Sequence, residues 1–235
     1  MLNLILLQAG QNLTEGANAV SKAVQTGKIE TGFIEMAIKG GPIMIPIILL
    51  SFIAVYIFFD RFMAIRKAGK VDPRLMDRVR EYILDGRVES AFSLCRSENT
   101  PTSRMIEKGI SRIGRPMADV TTAIENVGNL EVSKLEKGLA VLASVAGGAP
   151  MLGFLGTVTG MIEAFYDMAN AGNNINITLL SSGIYQAMVT TVAGLIVGIT
   201  AYFAYNILVA SVEKVVFNME AATLEFMDML NEPAK

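Results

Sequence analysis

The stretch GLAVLASVAGGAPMLGFLGTVTGMI, Gly138 to Ile162, runs for 25 residues without a charged side chain. As a helix it measures about 37 Å, enough to cross a hydrocarbon core of about 30 Å. Inside it Ala149, Gly153, Gly156 and Gly160 recur every three or four residues, so one face is nearly bare of side chain. Thr157 lies beside that stripe. Such faces let two membrane helices pack backbone to backbone.

Two further stretches can cross a bilayer. Ile43 to Phe59 is free of charge for 17 residues, about 25 Å as helix, and is bounded by Pro42 and the pair Asp60–Arg61. Met168 to Val212 is free of charge for 45 residues. Its first part, Ala169 to Thr178, is rich in Asn and Gly and reads as a loop. From Leu179 the helical part would be about 50 Å long, so its C-terminal end is expected to leave the membrane. It carries its own small stripe, Ala187, Thr191, Gly194, Gly198 and Ala201. Stripes of this kind serve tight packing or line a pore, and spacing alone favours packing.

The rest of the composition agrees with a membrane protein. The chain has 235 residues, 52% of them hydrophobic, and a mean hydropathy of +0.45, too apolar for most soluble domains. Cys95 is its single cysteine, so no intrachain disulfide can form. It falls on an apolar face with Val88, Ala91 and Phe92 and reads as core. With no His in the chain, nothing is at hand to activate it as a nucleophile.

Basic residues set the expected orientation. Fifteen of the 20 Lys and Arg lie between the first two apolar stretches, with Arg61, Arg66, Lys67 and Lys70 clustered at the membrane edge. The loop between the second and third stretches has none. The positive-inside rule then places 60–137 in the cytoplasm as a helical domain. Spans 43–59, 138–162 and 179–212 follow, with an external loop at 163–178 and a cytoplasmic C-terminal helix at 213–235. The expected fold is an all-α membrane protein with three transmembrane helices, the second and third extending into the cytoplasmic region.

Within 60–137, Asp72-Pro73 reads as a helix start with Asp as cap and Pro in the first turn. Asp85-Gly86 ends that helix. Val88 to Arg96, a helix opened by Thr100-Pro101 and one opened by Arg115-Pro116 follow. From Met117 no Pro or turn cluster intervenes before Gly138, so one unbroken helix is expected to run into the second span. The external segment 1–42 begins with Met1 to Leu7, apolar but without a basic n-region, and is expected to be retained. Leu13, Ala17, Val20 and Val24 at helical spacing suit an amphipathic surface helix or a polar tail equally.

No Asp, Glu, Lys, Arg or His lies between Gly138 and Ile162 or between Met168 and Val212. A proton path through hydrocarbon normally needs an acid, Lys or His. This chain offers hydroxyls and Gln186, so a partner would have to bring the titrating group. Glu163 and Asp167 follow directly on the second span, either attracting cations or as a solvated loop. No nucleotide-binding glycine loop with Lys and no acidic pair within the spans supports catalysis, so no enzyme and no cofactor or metal are expected. The basic loop has acids interspersed and gives no sign of nucleic-acid binding.

Two motifs carry a resemblance. Ala149-Pro150-Met151-Leu152-Gly153-Phe154-Leu155-Gly156-Thr157-Val158-Thr159-Gly160 resembles the second-span signature of the MotA/TolQ/ExbB proton channel family. Gly183-Ile184-Tyr185-Gln186-Ala187-Met188-Val189-Thr190-Thr191-Val192-Ala193-Gly194-Leu195 resembles its third-span signature. Three spans with a large basic loop are similar to the ExbB and TolQ branch, closest to ExbB. The resemblance implies a pentamer in the bacterial inner membrane, with Thr157, Thr191 and Gln186 lining its pore. It also implies an ExbD- or TolR-like single-span partner with a membrane Asp, and a TonB-like protein that carries the work to the outer membrane. TolQ-like envelope maintenance and a purely structural scaffold are the alternatives. Gln186 departs from the Glu that ExbB and TolQ usually carry; Gln hydrogen-bonds but does not titrate.

Overall fold

A computed structural model of the chain describes residues 40–70, 72–170 and 177–231. The amphipathic segment read at Leu13 to Val24, most of the Asn-rich loop and the last four residues lie outside them. The described elements are all helical: α1 Met44–Ala68, α2 Leu75–Leu84, α3 Val88–Glu98, α4 Pro101–Ile110, α5 Met117–Glu136, α6 Leu139–Asn170 and α7 Ile177–Asn231. Three segments are long and apolar enough to cross a membrane: α1, the run containing α5 and α6, and α7.

The helices α6 and α7 form an antiparallel hairpin and share the most extensive contact in the molecule. Partners along it run in opposite order, Pro150 against Gly198, Gly153 against Gly194, Gly160 against Ala187 and Ala164 against Gly183. The helix α1 packs on the hairpin, parallel to α7, with Gly69 beside Val215. Outward faces carry large apolar side chains, among them Phe52, Tyr56, Phe154, Tyr166 and Phe203. Exposed aromatics in such number suit lipid, not water.

Below the apolar stretches the short helices gather around the far end of α7. Phe226 is fully buried and meets the bare face of Gly109, where a Cβ would stand 2.6 Å from its ring and 2.7 Å from Ile124 Cδ1. Leu75, Val79, Ala91, Cys95, Ile106 and Ile124 complete this core. Local signals place the connections. Thr100 and Ser103 form a reciprocal capping box at the start of α4, and Asn99 adopts φ 48° to end α3.

Three expectations are corrected. The helix entered at Met117 is not continuous: it breaks at Lys137–Gly138, where Gly138 takes φ +86°. Glycine bears that conformation without a Cβ clash. The Arg61 guanidinium donates to the Lys134 carbonyl at 3.2 Å, serving one of the carbonyls that a helix end leaves without an internal partner. Asp72 does not cap the first turn of α2. Its carboxylate accepts from the Arg74 N–H at 2.9 Å and pairs with Arg78, and the helix starts at Leu75. The stretch 163–178 is not loop throughout: α6 continues to Asn170, carrying Glu163 and Asp167 on its exposed last turns, and α7 begins at Ile177. The third long helix extends beyond 212 as expected: α7 runs unbroken from Ile177 to Asn231, 55 residues or about 82 Å. The first apolar helix likewise runs past its charged boundary to Ala68, with Arg61 folded back on Asp60 at 2.5 Å.

Candidate functional site at the α6–α7 hairpin

Glycines set how close α6 and α7 come. A Cβ on Gly153 would stand 3.0 Å from the Thr190 carbonyl and 3.2 Å from Gly194 Cα; one on Gly160 would stand 3.0 Å from Ala187 Cβ. The Gly156 face is filled by Thr190, whose Cβ would be 2.6 Å away. At Gly198 the space belongs to the Pro150 ring. Pro150 has no N–H, which leaves the Ala146 carbonyl without its usual helical donor. That carbonyl faces Gly198, 3.0 Å from where a Cβ would be.

The hydroxyls fall into three environments. Thr190 is 1% exposed and returns its proton to the Ala187 carbonyl of its own helix at 2.7 Å. Thr157, half-buried, does the same to the Phe154 carbonyl at 2.6 Å. Thr191 differs: it donates across the hairpin to the Gly153 carbonyl at 2.9 Å. Gly153 is also the residue whose carbonyl stands one helical turn before Thr157. Thr157 and Thr191 therefore share one flank of the hairpin.

Gln186 is not with them. It lies about 140° around α7 from Thr191. Its amide stands against Gly41 at the entry to α1, where a Cβ would overlap Nε2. Within one chain Gln186 therefore fills the junction of the first and third long helices.

Sequence reasoning passed over two features. Thr190 fits the spacing 183, 187, 190, 194 of the contact face better than Thr191 does, so its signal was present. The other is a charge cluster beneath the spans. Glu131 of α5, 4% exposed, takes Arg104 of α4 at 2.5 Å and Lys134 at 2.7 Å. Burial alone would raise the Glu131 carboxyl. The hydrogen bonds and charges of Lys134 and Arg104 outweigh it and hold the carboxyl below its ordinary range. Nothing in the one-dimensional pattern links Arg104 to Glu131. Cys95 is fully buried, and desolvation, helped by Glu107 and Glu98, pushes its thiol up to about 12. Among the described residues no group of His, Cys, Asp and Glu could hold a metal ion.

Chemically, the uncharged stretches of the hairpin, 138–162 and 179–212, offer hydroxyls, side-chain amides and backbone carbonyls, and no Asp, Glu, Lys, Arg or His to carry a proton. This is the setting in which the chain's likeness to known proteins is informative. The family described as the MotA/TolQ/ExbB proton channel family matches residues 97–221, which take in the hairpin and most of its extension. A biopolymer transport protein, ExbB-like 1, of Synechocystis sp. is 30% identical over 182 residues, 74% of this chain and 69% of that protein. The biopolymer transport protein ExbB of Aquifex aeolicus is 36% identical over 46% of this chain and 74% of its own length. The Tol-Pal system protein TolQ of Haemophilus influenzae is 31% identical over 49% of this chain and 46% of its own. Family, hairpin and apolar helices agree, and the chain belongs to the MotA/TolQ/ExbB proton channel family.

Proposed function

We propose that this chain is the channel and stator subunit of an ion-driven motor in the bacterial inner membrane, acting through an ExbD- or TolR-like partner that supplies the titrating acid. One observation carries this reading: the spans hold no Asp, Glu, Lys, Arg or His, while Thr157 and Thr191 flank one side of the hairpin around the Gly153 carbonyl. A proton needs a group that binds and releases it, and hydroxyls only relay or position it. In this reading five copies surround two partner helices. Thr157 and Thr191 face the partner carboxyl, while Gln186 stays at the junction with α1. Residues 60–137 face the cytoplasm and the N-terminal segment the periplasm. The work is passed to a TonB-like protein that energises outer-membrane transport.

The test is reconstitution in liposomes under an imposed pH gradient. The chain alone should leak protons no faster than empty vesicles. Co-expressed partner should raise flux at least tenfold, and replacing that partner's membrane Asp by Asn should return it to background. Strong flux through the chain alone would overturn the reading, since none of its spanning residues could be the carrier. The similarity to TolQ supports a second role, envelope maintenance. Deleting the gene and measuring energised uptake across the outer membrane against detergent sensitivity tells the two roles apart.

A further inference from the structure

The groove between α1 and α7 has two parts in line. Toward the middle of the spans it widens into an apolar cavity of about 350 Å³, walled by Ala54, Phe58, Val197, Ala201 and Phe203. Farther along both helices a second cavity of about 320 Å³ opens, and Arg66, Lys70 and Lys214 stand on its walls with Ser211 and Asn218. No carboxylate lines it. None of the three cations has an acid within ion-pair distance among the described residues, whereas Arg61 nearby is spent on Asp60.

The spacing of the two parts matches a lipid. From Val55, in the apolar cavity, to Arg66, in the basic one, is 11 residues of α1, about 16 Å along the axis. That is about half of a 30 Å hydrocarbon core, the depth of one leaflet. An acyl chain seated in the first cavity therefore brings its phosphate to the second. Basic side chains at a membrane edge attract anionic headgroups, and three unpaired cations on two helices can share one phosphate.

We propose that this groove binds one anionic phospholipid, its phosphate held by Arg66, Lys70 and Lys214 and one acyl chain lying between Phe58 and Phe203. The lipid joins the first long helix to the third where protein contact alone leaves a gap. A zwitterionic lipid offers the same chain and phosphate, but its ammonium brings a further positive charge to a site with three cations and no carboxylate, so the site is selective for an anionic headgroup.

The chain has no Trp, so a single introduced one reports without background. Phe58 is half-buried in the groove wall, so Phe58→Trp places it there, and Phe52→Trp, on the outward face of α1, serves as control. Each variant is reconstituted in phosphatidylcholine vesicles holding a tenth of their lipid as brominated phosphatidylglycerol or as brominated phosphatidylcholine. Quenching of the groove Trp should be at least threefold stronger with the brominated phosphatidylglycerol, while the control shows no preference. Adding Arg66→Gln, Lys70→Gln and Lys214→Gln should erase the preference but leave the quenching by brominated phosphatidylcholine. Should the triple variant misfold, Lys214→Gln alone should lower the preference at least by half. Equal quenching by both lipids at Phe58→Trp, or a preference that survives removal of the cations, would overturn the proposal.

Discussion

The Thr191 hydroxyl donates to the Gly153 carbonyl across the hairpin at 2.9 Å, so one side chain both ties α7 to α6 and stands on the flank shared with Thr157. A tie of this kind inside a membrane contributes about 0.6 kcal/mol on average. Thr191→Val should therefore cost little stability, with assembly by size-exclusion chromatography unchanged. Thr157→Val removes only a bond within its own helix and should cost less still. Both should lower ion-driven activity at least tenfold if the hydroxyls serve the partner carboxyl. Full activity in both variants would leave packing as their whole role.

Gly156 and Thr190 form a knob and its seat. Gly156→Ala places a Cβ 2.6 Å from that of Thr190, and rotating the hydroxyl does not relieve it. Overpacking of this kind costs about 1–3 kcal/mol. The second change Thr190→Gly should recover part of the loss, giving a favourable coupling in a double-mutant cycle read by thermal unfolding in detergent. Additive losses would show that the two helices move apart instead.

Glu131 makes the stability of the lower helices depend on acid. Its folded carboxyl lies below its unfolded value, so its stabilisation is complete above about pH 4.3 and is lost as pH falls through the folded value. Glu131→Gln should flatten that acid limb. At neutral pH it should cost about 1–2 kcal/mol, low in the range for charge-assisted bonds because Arg104 and Lys134 both reach solvent. Circular dichroism melts between pH 3 and 7 would show both effects.

Cys95 should be silent to thiol reagents at pH 8, since a thiol at about 12 is almost wholly protonated and this one has no access to solvent. Maleimide should label it only after unfolding. The native chain then serves as its own background for mapping sidedness. Asp167→Cys, exposed near the end of α6, should react with an impermeant reagent in cells whose outer membrane is permeable, and exposed Glu89→Cys should not. The reverse pattern would overturn the orientation drawn from the basic residues.

Helix identity was legible wherever a local signal acted alone. Thr100-Pro101, Gly86 and the uncharged runs each place an end or a span through chemistry confined to a few residues. What escaped the sequence depends on partners distant along the chain. Gly138 is one glycine within a helical pattern, and the break there is visible only beside Arg61, 73 residues before the carbonyl it serves. Asp72 had the residue type of a cap, yet its carboxylate accepts from the Arg74 N–H, one residue before the helix proper, and is shared with Arg78 from the next turn. Gln186 was read as one of the polar groups with Thr157 and Thr191. The helix pitch and the approach of α1 set it on the opposite flank.

The unbroken course of α7 has a mechanical consequence. Over about 82 Å, a tilt of about 5° at one end carries the other through about 7 Å. Its neighbour cannot follow as a rod, because α5 and α6 meet at Gly138 with a glycine dihedral between them. The hairpin thus pairs a lever with a hinged arm. Small angular changes among the apolar helices become large displacements at Phe226 and the helices around it, while the hinge lets α5 stay docked as the lever swings.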